Sequence, residues 1–201
     1  MTIKAKKSAG FTLVELLVSL AVSLVVLTSV SSAFISQRKT YDAQEQMTEM
    51  IQGTRAVMEI ITREVKLAGF NPTRSTALVG IPYSTTQLEI RADLDGDGTA
   101  SASDANEVII YSHDSSNLEI DRNSGQAWAY ARILTENIQS FTFDYLDVDG
   151  NATTTAADIR MVEITITART TKPDPDYGLN SGYRTYTLTS MVSPPNLAID
   201  L

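Results

Sequence analysis

The 201-residue chain carries a formal net charge of −8, 43% hydrophobic residues and no cysteine. That length suits one folded domain with an appendage. The acidic balance argues against nucleic-acid binding, which needs basic patches to neutralise phosphates, and without cysteine there is no disulfide framework, even in a compartment that would permit one.

The chain opens with a basic head, Lys4, Lys6 and Lys7, followed by Gly10-Phe11-Thr12-Leu13-Val14-Glu15. From Phe11 to Ile35 runs an apolar stretch of about 25 residues, longer than the roughly 20 a helix needs to cross a bilayer. Its one charge is Glu15. A lone carboxylate in hydrocarbon costs roughly 2.5–3.5 kcal/mol at a helix centre, so Glu15 is a functional candidate with an expected partner. A secretory signal has an apolar core of only about 7–15 residues and a small-x-small site after it. This run is too long, and its glycine lies on the other side. The lysines are expected to stay cytoplasmic, with the C-terminal bulk outside.

The helical pattern continues beyond the apolar run. There is no proline from Phe11 to Ala68, and the only glycine is Gly53. Met47, Ile51, Thr54, Met58, Ile61, Val65 and Ala68 recur at steps of four and three, one stripe along a helix. Arg55, Glu59, Arg63 and Glu64 fall off it and face water or neighbours. Ser31 to Lys39 holds neither Pro nor Gly, so one helix of nearly 60 residues, about 90 Å long, is expected. Gly69-Phe70-Asn71-Pro72 ends it, with a glycine for a left-handed cap and a proline that cannot continue.

Afterwards the period turns to two. Strands are expected at Leu88–Arg91, Glu107–Tyr111, Asn117–Ile120, Phe141–Tyr145, Val162–Thr167 and Tyr183–Leu188, with a short helical turn around Ile133 to Ile138. Lys172 to Gly178 reads as the loop between the last two strands, and Pro194-Pro195 closes the ordered part. An amphipathic helix laid on an antiparallel sheet is an α+β layer architecture.

Two acidic segments have metal-ligand spacing. Asp93, Asp95, Asp97, Thr99 (through its carbonyl), Ser101 and Asp104 occupy positions 1, 3, 5, 7, 9 and 12 of a loop with Gly98 at position 6, the EF-hand calcium pattern with Asp for the terminal Glu. Dockerin-type calcium loops, which it resembles, share that shorter acid. Strands flank it, so calcium would act as a staple in a hairpin. Asp147, Asp149, Asn151, Thr153, Thr155 and Asp158 repeat the spacing, but Ala152 takes the glycine position. An acidic turn is the competing reading for both, since Asp and Gly favour turns for backbone reasons.

Little points to catalysis. His113 is the only histidine, and its neighbours Asp114 and Ser115 do not make a triad, which is a matter of geometry. Trp128 and Tyr130 read as packing residues or a carbohydrate or protein contact. No enzyme is expected.

The basic head, Gly10, Phe11, the Phe-Thr-Leu-x-Glu spacing to Glu15 and the apolar run together resemble the N-terminus of type IV pilins and of the pseudopilins of type II secretion. The resemblance implies a pilin-like fold and a prepilin peptidase that cuts after Gly10 and N-methylates Phe11. It implies residues 1–10 as leader, 11–70 as long helix with a membrane span at 11–35, and 71–201 as head. Glu15 would then be neutralised by the amine of a neighbouring subunit, setting register. From Leu146 to Val192 the chain is similar to PilW-type minor pilins, which resemble the J-type minor pseudopilin. That implies a scarce subunit held in the inner membrane with its head in the periplasm, then placed at a pilus tip. Its partners would be other pilins, the peptidase and a tip adhesin. A minor pseudopilin and a membrane-anchored calcium-dependent binding module are the alternatives.

Overall fold

A computed structural model describes residues 10–124 and 132–197. The leader lysines, Trp128 and Tyr130 lie outside the described residues. One α-helix, α1, spans Leu13–Val65, 53 residues. It starts and ends a few residues inside the expected span. A hydrogen-bonded turn carries the chain from Lys66 to Gly69, and Gly69 takes the expected left-handed conformation at φ 74°. The chain forms two compact units, divided between Glu45 and Gln46.

In the first unit the apolar side chains of α1, from Leu13 to Ile35, are exposed on every face. An 18-residue window there has a mean hydropathy of 2.4, long and apolar enough to cross a membrane. Its hydroxyls have local partners. Ser19, Ser23, Thr28, Ser29 and Ser32 each donate to a carbonyl three or four residues back. This back-bonding leaves no hydroxyl of that set needing water, which suits a helix in hydrocarbon.

Among the described residues, the second unit holds the end of α1 and seven strands. One antiparallel sheet has the order β1 (Gln87–Arg91), β2 (Val108–Asp114), β3 (Glu119–Ser124) and β4 (Arg132–Thr135). The other has the order β5 (Ile138–Leu146), β6 (Met161–Arg169) and β7 (Thr185–Val192). The expected helical turn at Ile133 to Ile138 is a correction. That segment is β4 and the start of β5, and Asn137 at φ 62° turns the chain between them. The last expected strand shifts towards the C-terminus, and the ordered chain continues past Pro194-Pro195 into a 3-10 turn at Pro195–Leu197.

Alternation explains the sheets. On β6, Val162, Ile164, Ile166 and Ala168 point inward while Glu163, Thr165 and Thr167 point out. The core unites these residues with Leu88, Ile90, Ile109, Tyr111 and Ile120 of the first sheet and with Val57, Met58, Ile61, Val65 and Ala68. The stripe on the helix sits slightly round from its expected line. Met50 and Val57 are buried, whereas Met47 and Ile51 lie at the margin. Each fully buried aliphatic side chain contributes about 1.5–3 kcal/mol.

Candidate functional site

At the start of α1, Thr12 and Glu15 bind each other. The Thr12 N–H and hydroxyl donate to Glu15 Oε2 at 2.9 and 2.8 Å, and the Glu15 N–H lies 3.3 Å from Thr12 Oγ1. This reciprocal arrangement is a capping box, with Thr12 as N-cap and Glu15 three residues on. The carboxylate also lies at the positive end of the helix dipole. Glu15 Oε1 accepts no hydrogen bond among the described residues. The Thr-x-x-Glu spacing from Thr12 to Glu15 is the sequence signal of this cap. Phe11 is exposed, and nothing lies within 4 Å of a Cβ built on Gly10.

The first acidic loop joins β1 to β2. Its anchor is Asp93, fully buried. Asp93 Oδ1 accepts from the Gly96 N–H at 2.7 Å, and Oδ2 from the Gly98 N–H at 3.0 Å and the Thr73 hydroxyl at 3.2 Å. Gly96 and Gly98 have φ of 82° and 92°, backbone conformations that only glycine adopts without strain. The sequence reading missed Glu107, buried at the foot of β2. It accepts from the N–H groups of Leu94, Asp95 and Ser101 at 2.9, 3.2 and 3.1 Å. Glu107 lies in phase with inward-facing Ile109 and Tyr111, and an acid in that phase was the available signal.

Carboxylate oxygens of Asp93, Asp95 and Glu107 lie within 4.8 Å of one another, as do those of Asp95, Asp97 and Asp104. Desolvation raises the Asp104 pKa above the usual carboxylate range, reinforced by the charges of Glu107, Asp95 and Asp97. Thr99 donates its N–H and hydroxyl to Asp97 Oδ1, both at 2.8 Å, and the Ser101 hydroxyl pairs with that of Ser103 at 2.6 Å. Five acids therefore fall into two overlapping trios that share Asp95, where the spacing named four. Such a set of hard oxygens fits calcium, which takes six to eight.

The second acidic loop is built differently. Asp147 Oδ1 accepts from the N–H groups of Asp149 and Asn151 at 2.9 and 2.8 Å. The Asn151 N–H is the main reason its carboxyl is held below the usual range. The positive φ, 83°, falls on Gly150, so the sharp turn comes two residues before Ala152. Thr153 returns to the sheet through its N–H to the Tyr145 carbonyl at 2.9 Å. Thr155 donates its N–H to Thr153 Oγ1, and Asp158 ends a 3-10 turn. Asp147 and Asp158 line a pocket with Arg160, whose Nη1 donates to the Ala157 and Ile159 carbonyls at 2.7 and 3.0 Å.

His113 sits on β2 with Nε2 3.0 Å from the Ile138 carbonyl, a bond that ties the two sheets together.

Residues 43–192 match the family described as prepilin peptidase-dependent protein B, and residues 5–31 match the prokaryotic N-terminal methylation motif. No curated protein matches the chain. A solved type IV-like pilin from Thermus thermophilus is similar over 73% of this chain and 97% of its own, at 11% identity and a TM-score of 0.47. The family match spans most of the chain, and the methylation motif lies where Gly10, Phe11 and Glu15 stand. The chain therefore belongs to the prepilin peptidase-dependent protein B family, with a prepilin-type N-terminus and one long helix packed on antiparallel sheets.

Proposed function

We propose that the chain is a minor pilin, a structural subunit that helps start or cap a type IV pilus. Its leader ends at Gly10, its α1 packs in the filament core, and its head is periplasmic until assembly carries it to the surface. The observation that carries this reading is the state of Glu15. The acid heads an apolar helix, is held by Thr12 through one oxygen, and keeps Oε1 open. Cleavage after Gly10 would give Phe11 a cationic amine, and the Glu15 of an adjoining subunit is the partner its charge needs. Such pairs serve register better than stability.

Mass spectrometry of the protein recovered from filaments tests the processing. A mature chain beginning at methylated Phe11 is expected, and an intact lysine head in growing filaments would overturn the reading. Glu15→Ala should insert into the membrane and fail to join filaments. Normal incorporation would leave a plain anchored protein instead.

A second reading concerns the first acidic loop. Its favouring observation is the grouping of Glu107 with Asp93 and Asp95, beside Asp97 and Asp104, and the raised pKa of Asp104. Calcium held by Asp93, Asp95, Asp97, Asp104 and Glu107 would offset that crowding and staple β1 to β2. Extracellular modules bind calcium at about 0.1–1 mM, so an outside medium suffices.

A further inference from the structure

The strand β5 stands at the edge of its sheet, paired with β6 on one side only. The Tyr145 carbonyl accepts from Thr153 on the other side, and Asp147 donates to Asn151 there. In an antiparallel strand, alternate residues share an edge. The N–H and C=O of Phe141 and Phe143 and the N–H of Tyr145 therefore face outward, and none has a backbone partner among the described residues. Exposed edges are usually blunted by proline, lysine or a bulge. Ile138–Leu146 has neither Pro nor Lys, and its one irregularity lies at Ile138 to Ser140, before the open stretch.

A groove of about 420 Å³ lies against this edge, walled by Tyr83 to Thr86 opposite and by Ala152 to Thr154 at one end. Phe143 stacks obliquely on Tyr145 with ring centroids 5.7 Å apart, and Tyr83 meets Tyr145 at 5.5 Å. Tyr145 is 4% exposed, yet its hydroxyl, lining the groove, has no hydrogen-bond partner among the described residues. The Ser84 backbone beside it falls short of hydrogen-bond geometry. Charge completes the description. Asp144 is the one charged residue among those lining the groove, and its cross-strand neighbour is Glu163. Like charges directly opposite destabilise a sheet, and neither carboxylate has an ion-pair partner among the described residues.

We infer that the β5 edge accepts an extended, basic peptide segment of a partner protein as an added strand. Main-chain bonds to Phe141 and Phe143 supply affinity, as in other strand-addition sites. A Lys or Arg beside Asp144 relieves the Asp144–Glu163 repulsion, and a polar group reaching inward satisfies Tyr145. The inference goes beyond the filament reading and does not rest on it, since it uses the head alone.

The test uses the full chain in detergent micelles and an acetylated, amidated heptapeptide alternating valine with lysine or threonine. Amide hydrogen exchange at Phe141 and Phe143 should slow roughly tenfold at saturating peptide, as strand addition requires. A glutamate-for-lysine peptide should bind more weakly, and Asp144→Lys should reverse that preference. Unchanged exchange with the lysine peptide overturns the inference. Equal slowing by a peptide N-methylated at alternate amides, or by the glutamate peptide, does the same. Slowing that grows with protein concentration and needs no peptide assigns the edge to a second copy and overturns the peptide reading.

Discussion

Arg122 on β3 holds Glu64 of α1 through two parallel bonds, Nε to Oε2 at 3.0 Å and Nη2 to Oε1 at 2.9 Å. The Tyr111 hydroxyl donates to the same carboxylate. Burial, and then the neighbouring Glu64, push the Tyr111 hydroxyl well above its usual range, so it stays a donor at any workable pH. The group fixes the last turn of the helix to the first sheet at one rotation. Arg122→Met should lower stability by about 1.5–3 kcal/mol, the range for a hydrogen bond to a charged group, because it strands a mostly buried carboxylate. The double variant Glu64→Met, Arg122→Met should recover part of that loss, since paired removal leaves no unpaired charge. Urea unfolding of the three proteins decides it. Equal midpoints for the single variant and the parent would mean the pair contributes nothing.

Glu15 has two jobs that one substitution separates. Glutamine also serves in a capping box, so Glu15→Gln keeps an acceptor for Thr12 and removes the charge. The expected outcome is an intact helix start with filament incorporation as poor as in Glu15→Ala. Incorporation at the parent level would reduce Glu15 to a cap.

Much of this was legible because it is periodic. The stripe from Thr54 to Ala68 and the alternation of Val162 to Ala168 are one-dimensional patterns, and both elements formed. Gly69 announced its own left-handed turn. What failed was short or depended on a distant partner. β4 has only four residues with no alternation, and Leu134 and Ile138, four residues apart, suit one helical turn as well as they suit two strands. Glu64 reads as surface until Arg122, far along the chain, is folded against it. Glu107 reads as the first residue of a strand, and only the closed loop brings the Leu94, Asp95 and Ser101 amides to its oxygens.

The first acidic loop should respond to calcium and to pH together. Asp104 has its pKa raised by desolvation and by Glu107, Asp95 and Asp97. A carboxyl raised in the folded state favours folding below its ordinary pKa, about 3.9, and loses that contribution as pH rises through the folded value. Above that point the loop carries repelling charges, and calcium has most to offset. Thermal melting with millimolar calcium should therefore rise near neutral pH, and the increment should shrink as pH falls into the range where Asp104 protonates. Glu107→Gln and Asp95→Asn should remove it. A melting point indifferent to calcium and chelator at pH 7 would leave the loop as an acidic turn.

With no disulfide available, the loop between β6 and β7 is held by Arg184. Its guanidinium bonds Asp174 Oδ2 through Nε at 3.2 Å and Nη2 at 2.9 Å, and lies 4.7 Å from the Tyr177 ring centre. The Asp174 N–H donates to the Gly182 carbonyl at 2.7 Å. Gly182 has φ 88°, and a Cβ there would sit 2.9 Å from the Pro173 side chain and 3.1 Å from the Asp174 carbonyl oxygen. Gly182→Ala thus meets strain and a clash at once, a cost of about 1–3 kcal/mol. Arg184→Lys keeps the charge and loses both the fork and the stacking. Subtilisin should cut both variants faster than the parent near Leu179, which is exposed. Because Thr170 still anchors Arg184 by backbone bonds, the lysine variant should open the loop while leaving the β6–β7 ladder protected. Faster exchange along that whole ladder would mean Arg184 supports the sheet itself.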